Sequence, residues 1–368
     1  MPAMTRQGHT RSARLTDLAA LGDLSRLAHP AHAQVQATAA RSAAKPEPHE
    51  RQMRSLGLPV TASQVSVFSL FRMPLGAFRP HDQLYVYEED GRLAGLARVE
   101  RDAHRDEWTI VELDAVDHGD AGDIRYRLVQ HLLRDGSRRG ASRFHVACAD
   151  LRGNVELFMQ AGFARYGEET IHFRDPQTKF PALRSIDTAA LHIRSASPHD
   201  ATELSRLYQR VTPPAVARLE GYRLPDWEHV PGRSSVPRTS LTPLLRFADV
   251  EAYVQDDPSD RDGGLAAMLQ IGVAKEQQPH YLRVLSLPER DPSPLIRFGL
   301  ALIGKRSQAE QRQSSGAHQN GVMSCVRTYE APLDRRLAEQ GLERVATVSL
   351  LLKEALVRVA EPAMVPAV

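Results

Sequence analysis

The chain has 368 residues, of which 42% are apolar and 25% are charged, and its formal net charge is +2. This length exceeds that of one small core and predicts two domains of roughly 150–200 residues each. The small net charge gives no support to nucleic-acid binding, and two cysteines, Cys148 and Cys325, exclude a disulfide framework and a zinc-type cysteine spacing.

The cellular setting is predicted from the apolar segments. No apolar run approaches the roughly 20 residues that span a bilayer, and the N-terminal sequence MPAMTRQGHTRSARL lacks the apolar core of a signal peptide. We therefore expect a cytoplasmic protein that has neither a membrane nor nucleic acid as a partner. Both cysteines lie in apolar, strand-like runs and are expected to be buried free thiols.

In the first half, the predicted elements alternate between helices and strands. A helix over TDLAALGDLSRLA precedes a strand pair, DQLYVYEEDGRLAGLARVER, with EDG as the hairpin turn, and then a strand, EWTIVELDAV. Ile124, Leu128, Val129, Leu132 and Leu133 mark one face of a helix, which the glycine of RRG ends. The strand SRFHVACA, the helix NVELFMQAG and the strand ARYGEETIHF complete the series.

The second half repeats this series. LSRL at 24–27 recurs at 204–207, and GRLAGLARV resembles the later GGLAAMLQI. ELFMQAGFARYGEETIHF likewise resembles RRLAEQGLERVATVSLLL, in which Gly341 follows Gly162 by 179 residues. Three matches in the same order, at offsets of about 170–180 residues, indicate an internal duplication.

The duplication predicts an α/β (α+β) fold with two similar domains, each a mixed, mainly antiparallel, splayed sheet flanked by helices. We expect a disordered N-terminus over 1–13, a first domain over 14–174, a linker over 175–190, a second domain over 191–360 and a tail over 361–368.

Two segments of the second half depart from the repeat. Residues 306–320 are polar and are expected to form a mobile insertion. Residues 223–246 are rich in proline and serine. A long surface loop is the favoured interpretation of this segment, and a flap over a site is the alternative.

A family resemblance is carried by LVQHLLRDGSRRGASRFHVACADLRGNVELFMQAGFARYGEE. This stretch resembles the CoA-side helix, the following strand and the GF ending of the GNAT superfamily, whose members transfer acyl groups from acyl-CoA to amines. The likeness extends over both halves, and the tandem arrangement is similar to mycothiol synthase-type double GNAT proteins. It implies acetyl-CoA or another acyl-CoA as co-substrate and a small-molecule amine as acceptor.

In this family, the amides of a Q/R-x-x-G-x-G/A loop hold the CoA pyrophosphate at the start of a helix. Alignment on LVQHLL places Asp120, Asp123 and Arg125 on the three motif positions, so neither glycine is present. The Asp123 carboxylate would repel a pyrophosphate by roughly 1–4 kcal/mol, whereas acids at an N-cap and in a first turn stabilise a helix by roughly 0.5–2 kcal/mol. A structural loop is therefore favoured, with an anion site as the alternative. The candidate cofactor-binding residues are Val116, Gly119, Gly122, Asp123, Ile124 and Arg125.

The acid of this family is often a tyrosine four residues before the glycine of GF. Phe158 occupies that position here, and Leu337 occupies it in the second half, so neither can donate a proton. Tyr166, Cys148 or His145 could replace the tyrosine, and Tyr166 is the candidate acid. Packing is the alternative role for Tyr166, and a core or surface position is the alternative for His145.

Glu112 is the candidate catalytic base, because the family often has a glutamate in the corresponding strand. Its neighbours in EWTIVELDAV are largely apolar, and partial burial would raise its pKa toward neutrality. A carboxylate on an exposed strand face is the alternative. Asp114, two residues further on, is expected on the same face, and Asn154 is predicted to be the N-cap of the following helix.

The predicted function is acetyl or other acyl transfer from acyl-CoA to an unidentified amine, with the chemistry in the first half. The alternative is a catalytically degenerate GNAT-like pair that binds a ligand or has a structural role. In the second half Pro288, Pro292 and Pro294 replace amide donors, so this half is expected to hold no CoA and to buttress the first. No metal site is predicted.

Overall fold

The computed structural model describes residues 8–17, 20, 82–102, 104–116, 121–151, 153–228, 236–245, 247, 250–260, 263–274, 278–313 and 320–355. Most of the helix predicted over TDLAALGDLSRLA, together with Asp120, Gly119 and the tail over 361–368, lies outside these residues.

In the described residues both halves share a first strand and then the order strand, strand, strand, helix, strand, helix, strand, and the second half also contains two helices after its first strand. The first contains β1 (Gly8–Ser12), β2 (Asp82–Glu89), β3 (Arg92–Asp102), β4 (Glu107–Ala115), α1 (Ala121–Arg138), β5 (Arg143–Cys148), α2 (Asn154–Gln160) and β6 (Ala164–Arg174). The second contains β7 (Ile193–Ser195), α3 (Ala201–Val211), α4 (Pro214–Glu220), β8 (Val250–Asp256), β9 (Leu265–Gly272), β10 (His280–Ser286), α5 (Ser293–Gln313), β11 (Val322–Arg327), α6 (Ala331–Glu339) and β12 (Glu343–Glu354). The predicted mixed fold with an internal repeat is confirmed.

The twelve strands form one sheet in the order β1-β2-β3-β4-β5-β12-β6-β11-β10-β9-β8-β7. Each strand of the first half has its counterpart at the same distance from the centre, which lies between β12 and β6. Neighbouring strands are antiparallel except in two matching pairs, β4 with β5 and β10 with β11. The sheet therefore has an approximate twofold symmetry that follows the sequence repeat.

The last strand of each half is exchanged. β12 pairs with β5 over residues 349–354, although these strands belong to different halves. β6 in turn pairs with β11 over residues 169–174. The two exchanged strands pair with each other across the centre. Each half therefore needs a strand of the other to complete its sheet.

The hairpin between β2 and β3 has the turn that EDG predicts. Asp90 and Gly91 have φ angles of 49° and 75°. Positive φ at both central residues defines a type I′ turn, whose twist matches that of the flanking strands. Aspartate and glycine tolerate this conformation better than branched residues do.

The long helix of the first half, α1, covers the sheet with its predicted apolar face. The side chains on that face are at most 6% exposed: Ile124, Leu128, Val129, Leu132 and Leu133. At Gly95 on β3 the helix comes so close that a Cβ atom would lie 2.6 Å from Ile124 Cγ2. Any larger residue at Gly95 would therefore push α1 away from the sheet.

Three local predictions are wrong. Residues 8–12, expected in the disordered terminus, form β1, because every one of these five residues pairs with a residue of β2. Residues 306–313 of the expected mobile insertion continue α5. Gly153 is the N-cap of α2, whereas Asn154 is its first helical residue and accepts a hydrogen bond at Oδ1 from Arg125 Nη1 at 2.8 Å.

None of the helices in these residues is long and apolar enough to cross a membrane.

Candidate active site

The strands β4 and β5 separate partway along their length. Parallel pairing joins residues 107–110 of β4 to residues 143–146 of β5. The register between β4 and β3 then skips Val111, which marks a bulge. Beyond the bulge, β4 follows β3 as far as Ala115, while β5 follows β12. The separation opens a slot beside Val111 and Ala147.

A pocket with an empty volume of about 640 Å³ adjoins this slot. Trp108 and Phe144 pack against α1 at Gly136, so their strand neighbours Glu107 and His145 point to the opposite face, where the pocket lies. The first half supplies Glu107, Thr109, Ile110, Val111, His145, Val146, Ala147 and Tyr166 to its wall. The second half supplies Glu220, Tyr222, Arg238, Thr239, Ser240, Pro243, Leu244, Arg327 and Leu350. The pocket is therefore formed jointly by both halves.

One end of the pocket contains a carboxylate–histidine pair. Glu107 Oε2 lies 3.4 Å from His145 Nε2, and Glu107 Oε1 lies 2.9 Å from Arg105 and 3.4 Å from Arg143. Burial would raise the pKa of Glu107, but His145, Arg105 and Arg143 outweigh burial and lower it. The Glu107 carboxylate therefore faces the imidazole of His145 as a negative charge.

Tyr166 lies at another wall of the pocket, beside the buried guanidinium of Arg327. Arg327 pairs with Glu169 and with Glu220, each at 2.9 Å, and Tyr208 donates to Glu220 at 2.5 Å. Burial raises the pKa of Tyr166, although the Arg327 charge opposes this shift. The phenol therefore keeps its proton at neutral pH and can act as an acid.

Tyr166 and Arg327 also border a second opening, whose empty volume is about 910 Å³. Its other lining residues lie on β6, α4 and the turn after β11: Arg165, Gly167, Glu168, Val216, Thr328 and Tyr329. Tyr166 and Arg327 thus lie between the pocket and this wider opening, which we term the mouth.

The segment 236–245, which we term the roof, closes the pocket from the second half. The amide of Ser240 donates to Glu169 at 2.7 Å, and Arg238 pairs with Glu100 at 2.7 Å and with Asp102 at 3.3 Å. The favoured interpretation of this part of 223–246 as a surface loop is wrong. Its apolar side chains join the core of the first half and are at most 3% exposed: Leu241, Leu244 and Leu245.

Glu112 lies on the same face of the sheet as the pocket. Its cross-strand partner is Arg98, whose Nε lies 3.6 Å from the Glu112 carboxylate, and Arg98 also pairs with Asp82 at 3.2 Å. Glu112 is 9% exposed and Asp114 is 4% exposed, so both carboxylates are buried rather than on a solvated face. Glu107 and His145, rather than Glu112, form part of the pocket wall.

Of the predicted cofactor-binding residues that the structure describes, Gly122, Asp123, Ile124 and Arg125 lie at the start of α1, and Val116 directly follows β4. Gly122 and Asp123 are exposed, whereas the side chains of Val116 and Ile124 are buried in the core. Asp123 pairs with Arg127 at 2.7 Å, both about half exposed. The carboxylate is thus partly neutralised by its own helix. Gly119 lies outside the described residues.

Cys148, another candidate for the acid, and Phe158, at the position of the family tyrosine, both lie in the core. Cys148 is fully buried in the core cluster that includes residues of α1, and burial raises the pKa of its thiol to about 12. Phe158 packs edge-to-face against Phe163, with ring centroids 5.3 Å apart. Among the described residues, no group of three or more His, Cys, Asp or Glu side chains could hold a metal ion.

The matching place in the second half is filled. The register between β9 and β10 runs over 281–286 without a shift, so β10 has no bulge there. Arg283 is fully buried where β10 and β11 separate, and it donates to the two Glu330 carboxylate oxygens at 2.9 and 2.5 Å. Arg283 also donates to the Cys325 carbonyl at 3.3 Å. This ion pair occupies the space that is open beside β4.

The fold is that of tandem GNAT proteins. The chain is similar to a tandem GNAT protein from the clavulanic acid biosynthesis pathway, with a TM-score of 0.52, 14% identity, and coverage of 95% of this chain and 98% of that one. It is also similar to a GCN5-related N-acetyltransferase from Sphaerobacter thermophilus, with a TM-score of 0.50, 10% identity, and coverage of 94% and 95%. At these identities the likeness establishes the fold. No protein-family model matches the sequence, and no curated protein matches it.

Sequence reasoning missed Glu107 and the arginines around it. Glu107 begins β4 and Arg327 ends β11, where charged residues are common and attract no notice. The sequence carries only a weak signal for Glu107. His145 is the third residue of β5 and pairs with Thr109, the third residue of β4, so Glu107 lies two residues before the partner of His145. Only the register between these strands shows that the acid and the histidine are neighbours.

Proposed function

We propose that this protein is an acyl-CoA-dependent N-acyltransferase with one active site, in the pocket of the first half. The observation that carries the proposal is the coincidence of three features at one place. The slot between β4 and β5, the Glu107–His145 pair and the protonated Tyr166 all border the same pocket. The tandem GNAT fold supports the same reaction class.

The donor would lie in the slot between the diverging strands. The pantetheine arm of CoA is extended and carries two amides, so it can pair with a strand edge as an added β-strand does. Its pyrophosphate would reach the first turn of α1, where amide groups and the helix dipole favour an anion. Val116, Gly119, Gly122, Asp123, Ile124 and Arg125 remain the proposed residues of this binding region.

In the proposed reaction, the acceptor amine attacks the thioester carbonyl and forms the new C–N bond. His145 takes the proton that the amine loses, and the Glu107 carboxylate stabilises the resulting imidazolium. The tetrahedral intermediate collapses with cleavage of the C–S bond. Tyr166 gives its proton to the departing thiolate, and each group then returns to its starting state.

We assign the base to His145 rather than to Glu112 because of their surroundings. Glu112 faces Arg98 at 3.6 Å and belongs to an ion-pair group with Arg98 and Asp82. His145 lines the pocket. We propose that Glu112 shapes the bulged part of β4, and that the acceptor enters through the mouth beyond Tyr166.

The test combines binding with turnover. Calorimetry with acetyl-CoA should show one site per chain, and thiol release with a panel of primary amines should reveal the acceptor class. Tyr166→Phe and His145→Gln should each lower kcat by about 10²–10⁴-fold with little change in acetyl-CoA affinity. Tyr253→Phe is the matched control, because Tyr253 lies on β8, outside the pocket wall.

A catalytically degenerate binding module is the competing function. It is favoured by the Asp123 carboxylate in the first turn of α1 and by Phe158 in the core, where the resemblance implies a proton donor. Absence of acyl-CoA binding and of any thermal stabilisation by acetyl-CoA would establish this alternative. If acetyl-CoA binds, a concentration of 100 times its dissociation constant should add about 2.7 kcal/mol to the unfolding free energy.

A further inference from the structure

Two groups of ion-paired side chains border the pocket, and their charges are balanced differently. In the first group, Glu107 has two guanidinium partners, Arg105 at 2.9 Å and Arg143 at 3.4 Å. The contacts of these arginines with other carboxylates, Asp226 and Glu354, are longer, at 3.8 and 3.7 Å. The carboxylate that lines the pocket here therefore already has cationic partners and gains little from another one.

In the second group, one arginine stands between two carboxylates. Arg327 lies 2.9 Å from Glu169 Oε1 and 2.9 Å from Glu220 Oε1, and among the described residues it is the only ion-pair partner of either carboxylate. All three residues are at most 4% exposed. Two negative charges and one positive charge leave one negative charge uncompensated. Such a charge is costly in a buried place unless a further cation neutralises it.

The hydrogen bonds of this second group are also incomplete. Glu169 Oε1 has no hydrogen-bond partner, because the contact with Arg327 Nε is short but not directed along the N–H bond. The other oxygen accepts from the amide of Ser240 in the roof at 2.7 Å. Ser240 and Arg327 both line the pocket, so the Glu169 carboxylate lies on the pocket side of β6. The uncompensated charge is therefore next to the pocket.

Glu220 is the carboxylate of this group that lines the pocket itself. Its Oε2 accepts from Tyr208 at 2.5 Å, and its Oε1 faces Arg327. Each carboxylate oxygen can accept two hydrogen bonds. An ammonium group in the pocket can therefore donate to Glu220 and bring the charge of the whole group to zero.

The reacting amine cannot supply this positive charge. Its nitrogen attacks the thioester with a free lone pair, so the amine that bonds to carbon is neutral at that moment. His145 is also neutral before it accepts the proton. A positive charge beside Glu220 therefore has to come from a second group of the acceptor.

The base and the second charged group lie on different strands. His145 pairs with Leu352 of β12, which pairs with Ala164 of β6, two residues before Tyr166. Neighbouring strands are about 4.8 Å apart, so this stretch of the sheet spans roughly 10 Å. The pocket-lining side chains of β5 and β12 beyond His145 are apolar. A short hydrocarbon chain suits the space between two amino groups placed here.

We propose that the acceptor is an aliphatic amine with a second, positively charged amino group, and that Glu220 binds this second group. This inference rests on the proposed function. The neutral amine lies beside His145, and the ammonium group donates to Glu220 on the side of the mouth. Glu220 thus selects the acceptor by charge and takes no part in the proton transfers.

The experiment compares amines of similar length that differ in their second group. Calorimetry on the full chain, with CoA present, measures the binding of diaminobutane, butylamine and γ-aminobutyrate. Diaminobutane should bind at least about tenfold more tightly than butylamine, and γ-aminobutyrate should bind least tightly. The binding of acetyl-CoA is measured separately, so that the donor site is tested by itself.

Two variants locate the effect. Glu220→Gln leaves one carboxylate for one guanidinium, and its amide oxygen can still accept from Tyr208. The affinities for diaminobutane and butylamine should then differ by no more than about threefold. Glu289→Gln, in an exposed pair with Arg210, is the matched control and should keep the full preference. The comparison of amines in the wild type does not depend on how well Glu220→Gln folds.

The outcomes separate this inference from the proposed function. Equal binding of butylamine and diaminobutane would overturn the inference, and so would a preference that survives Glu220→Gln. If acetyl-CoA binds and none of the three amines does, the inference also falls, while acyl transfer to another acceptor stands. If acetyl-CoA does not bind, the proposed function itself is wrong.

Discussion

The two places where parallel strands separate, one in each half, are alike in topology and opposite in content. Beside β4 the separation adjoins a pocket of about 640 Å³, and the bulge at Val111 widens it. Beside β10 there is no bulge, and Arg283 with Glu330 fills the gap. The Val116 amide donates to the Ala94 carbonyl, and the Leu287 amide donates to Ala266, the matching residue of the repeat. Val116 therefore aligns with Leu287. Four residues before each of them, Glu112 aligns with Arg283.

The difference shows how a duplicated fold can divide its work. A slot that binds a ligand must leave polar groups and space unused in the free protein, which costs stability. In the second half a buried ion pair occupies that space. The second half also gives the first its roof, its strand β12 and Arg327. We propose that the second half has lost a binding site of its own and now contributes residues to the site of the first half.

The largest effect is expected from disrupting the ion pair that fills the opening beside β10. Glu330→Gln removes the carboxylate opposite Arg283, a residue that is only 1% exposed. A buried charge without its partner should lower the unfolding free energy by about 3–5 kcal/mol, measured by urea denaturation. Glu289→Gln, in an exposed pair with Arg210, should leave the transition unchanged.

A double variant makes this test specific. Replacing the ion pair by apolar side chains of similar size, Arg283→Met with Glu330→Leu, should recover most of the lost stability. Recovery would mean that the role of the pair is to fill space. A double variant as unstable as Glu330→Gln would show instead that the charges themselves are needed.

The second expected effect concerns His280, which begins β10 as Glu107 begins β4. His280 is fully buried; its Nδ1 accepts from the Ala274 amide at 3.0 Å, and its Nε2 lies 2.9 Å from Ser307 Oγ. Burial lowers the pKa of His280 from 6.5 to about 4. Between these values the unfolded chain takes up a proton and the folded chain does not. Stability should therefore be unaffected above pH 6.5 and fall as the pH falls toward 4.

The expected loss across this window is about 2–3 kcal/mol. Denaturation of the wild type and of His280→Gln, measured at several pH values between 8 and 4, checks it. The variant should lack the His280 contribution in this window, although it should be less stable at pH 8 through weaker hydrogen bonds. His199→Gln, at an exposed position, should keep the wild-type pH dependence. Parallel pH curves for wild type and His280→Gln would contradict the prediction.

The smallest expected effect sharpens the comparison at the CoA loop. Asp123→Gly removes a first-turn acid and its pair with Arg127, so α1 should lose roughly 0.5–1 kcal/mol of stability. If the start of α1 holds pyrophosphate, the same change should tighten CoA binding by about 1 kcal/mol, or about fivefold. Calorimetry alongside melting curves measures both quantities. Micromolar binding by the wild type that the variant does not improve would contradict this placement of the loop.

The sequence predicts much of the fold because its signals are local. The hairpin turn at Asp90 and Gly91, the apolar face of α1 and the repeat itself all follow from neighbouring residues or fixed periods. The strand exchange has no such signal. β6 and β12 are matching members of the repeat, and nothing local decides which of them lies beside β5. That choice depends on packing between elements far apart in the sequence.

The site is less predictable than the fold for the same reason. Tyr166, named from the sequence as a replacement for the missing tyrosine, does border the pocket. Glu107 and His145 meet through a strand register, and Arg327 reaches the first half only because β11 pairs with β6. Leu241 and Leu244 of the roof are recognisable as core residues only once the surface that they cover is known.

The position of β12 affects how this chain folds while it is being synthesised. β12 lies between β5 and β6, yet Glu354 and its partner Arg143 are roughly 200 residues apart in the sequence. At about 5–20 residues per second, the sheet edge of β5 is exposed for roughly 10–40 s before its neighbour is synthesised. An unpaired edge of this kind favours association with other chains. The protein should therefore depend on chaperones during synthesis far more than a single GNAT-sized domain that closes its own sheet.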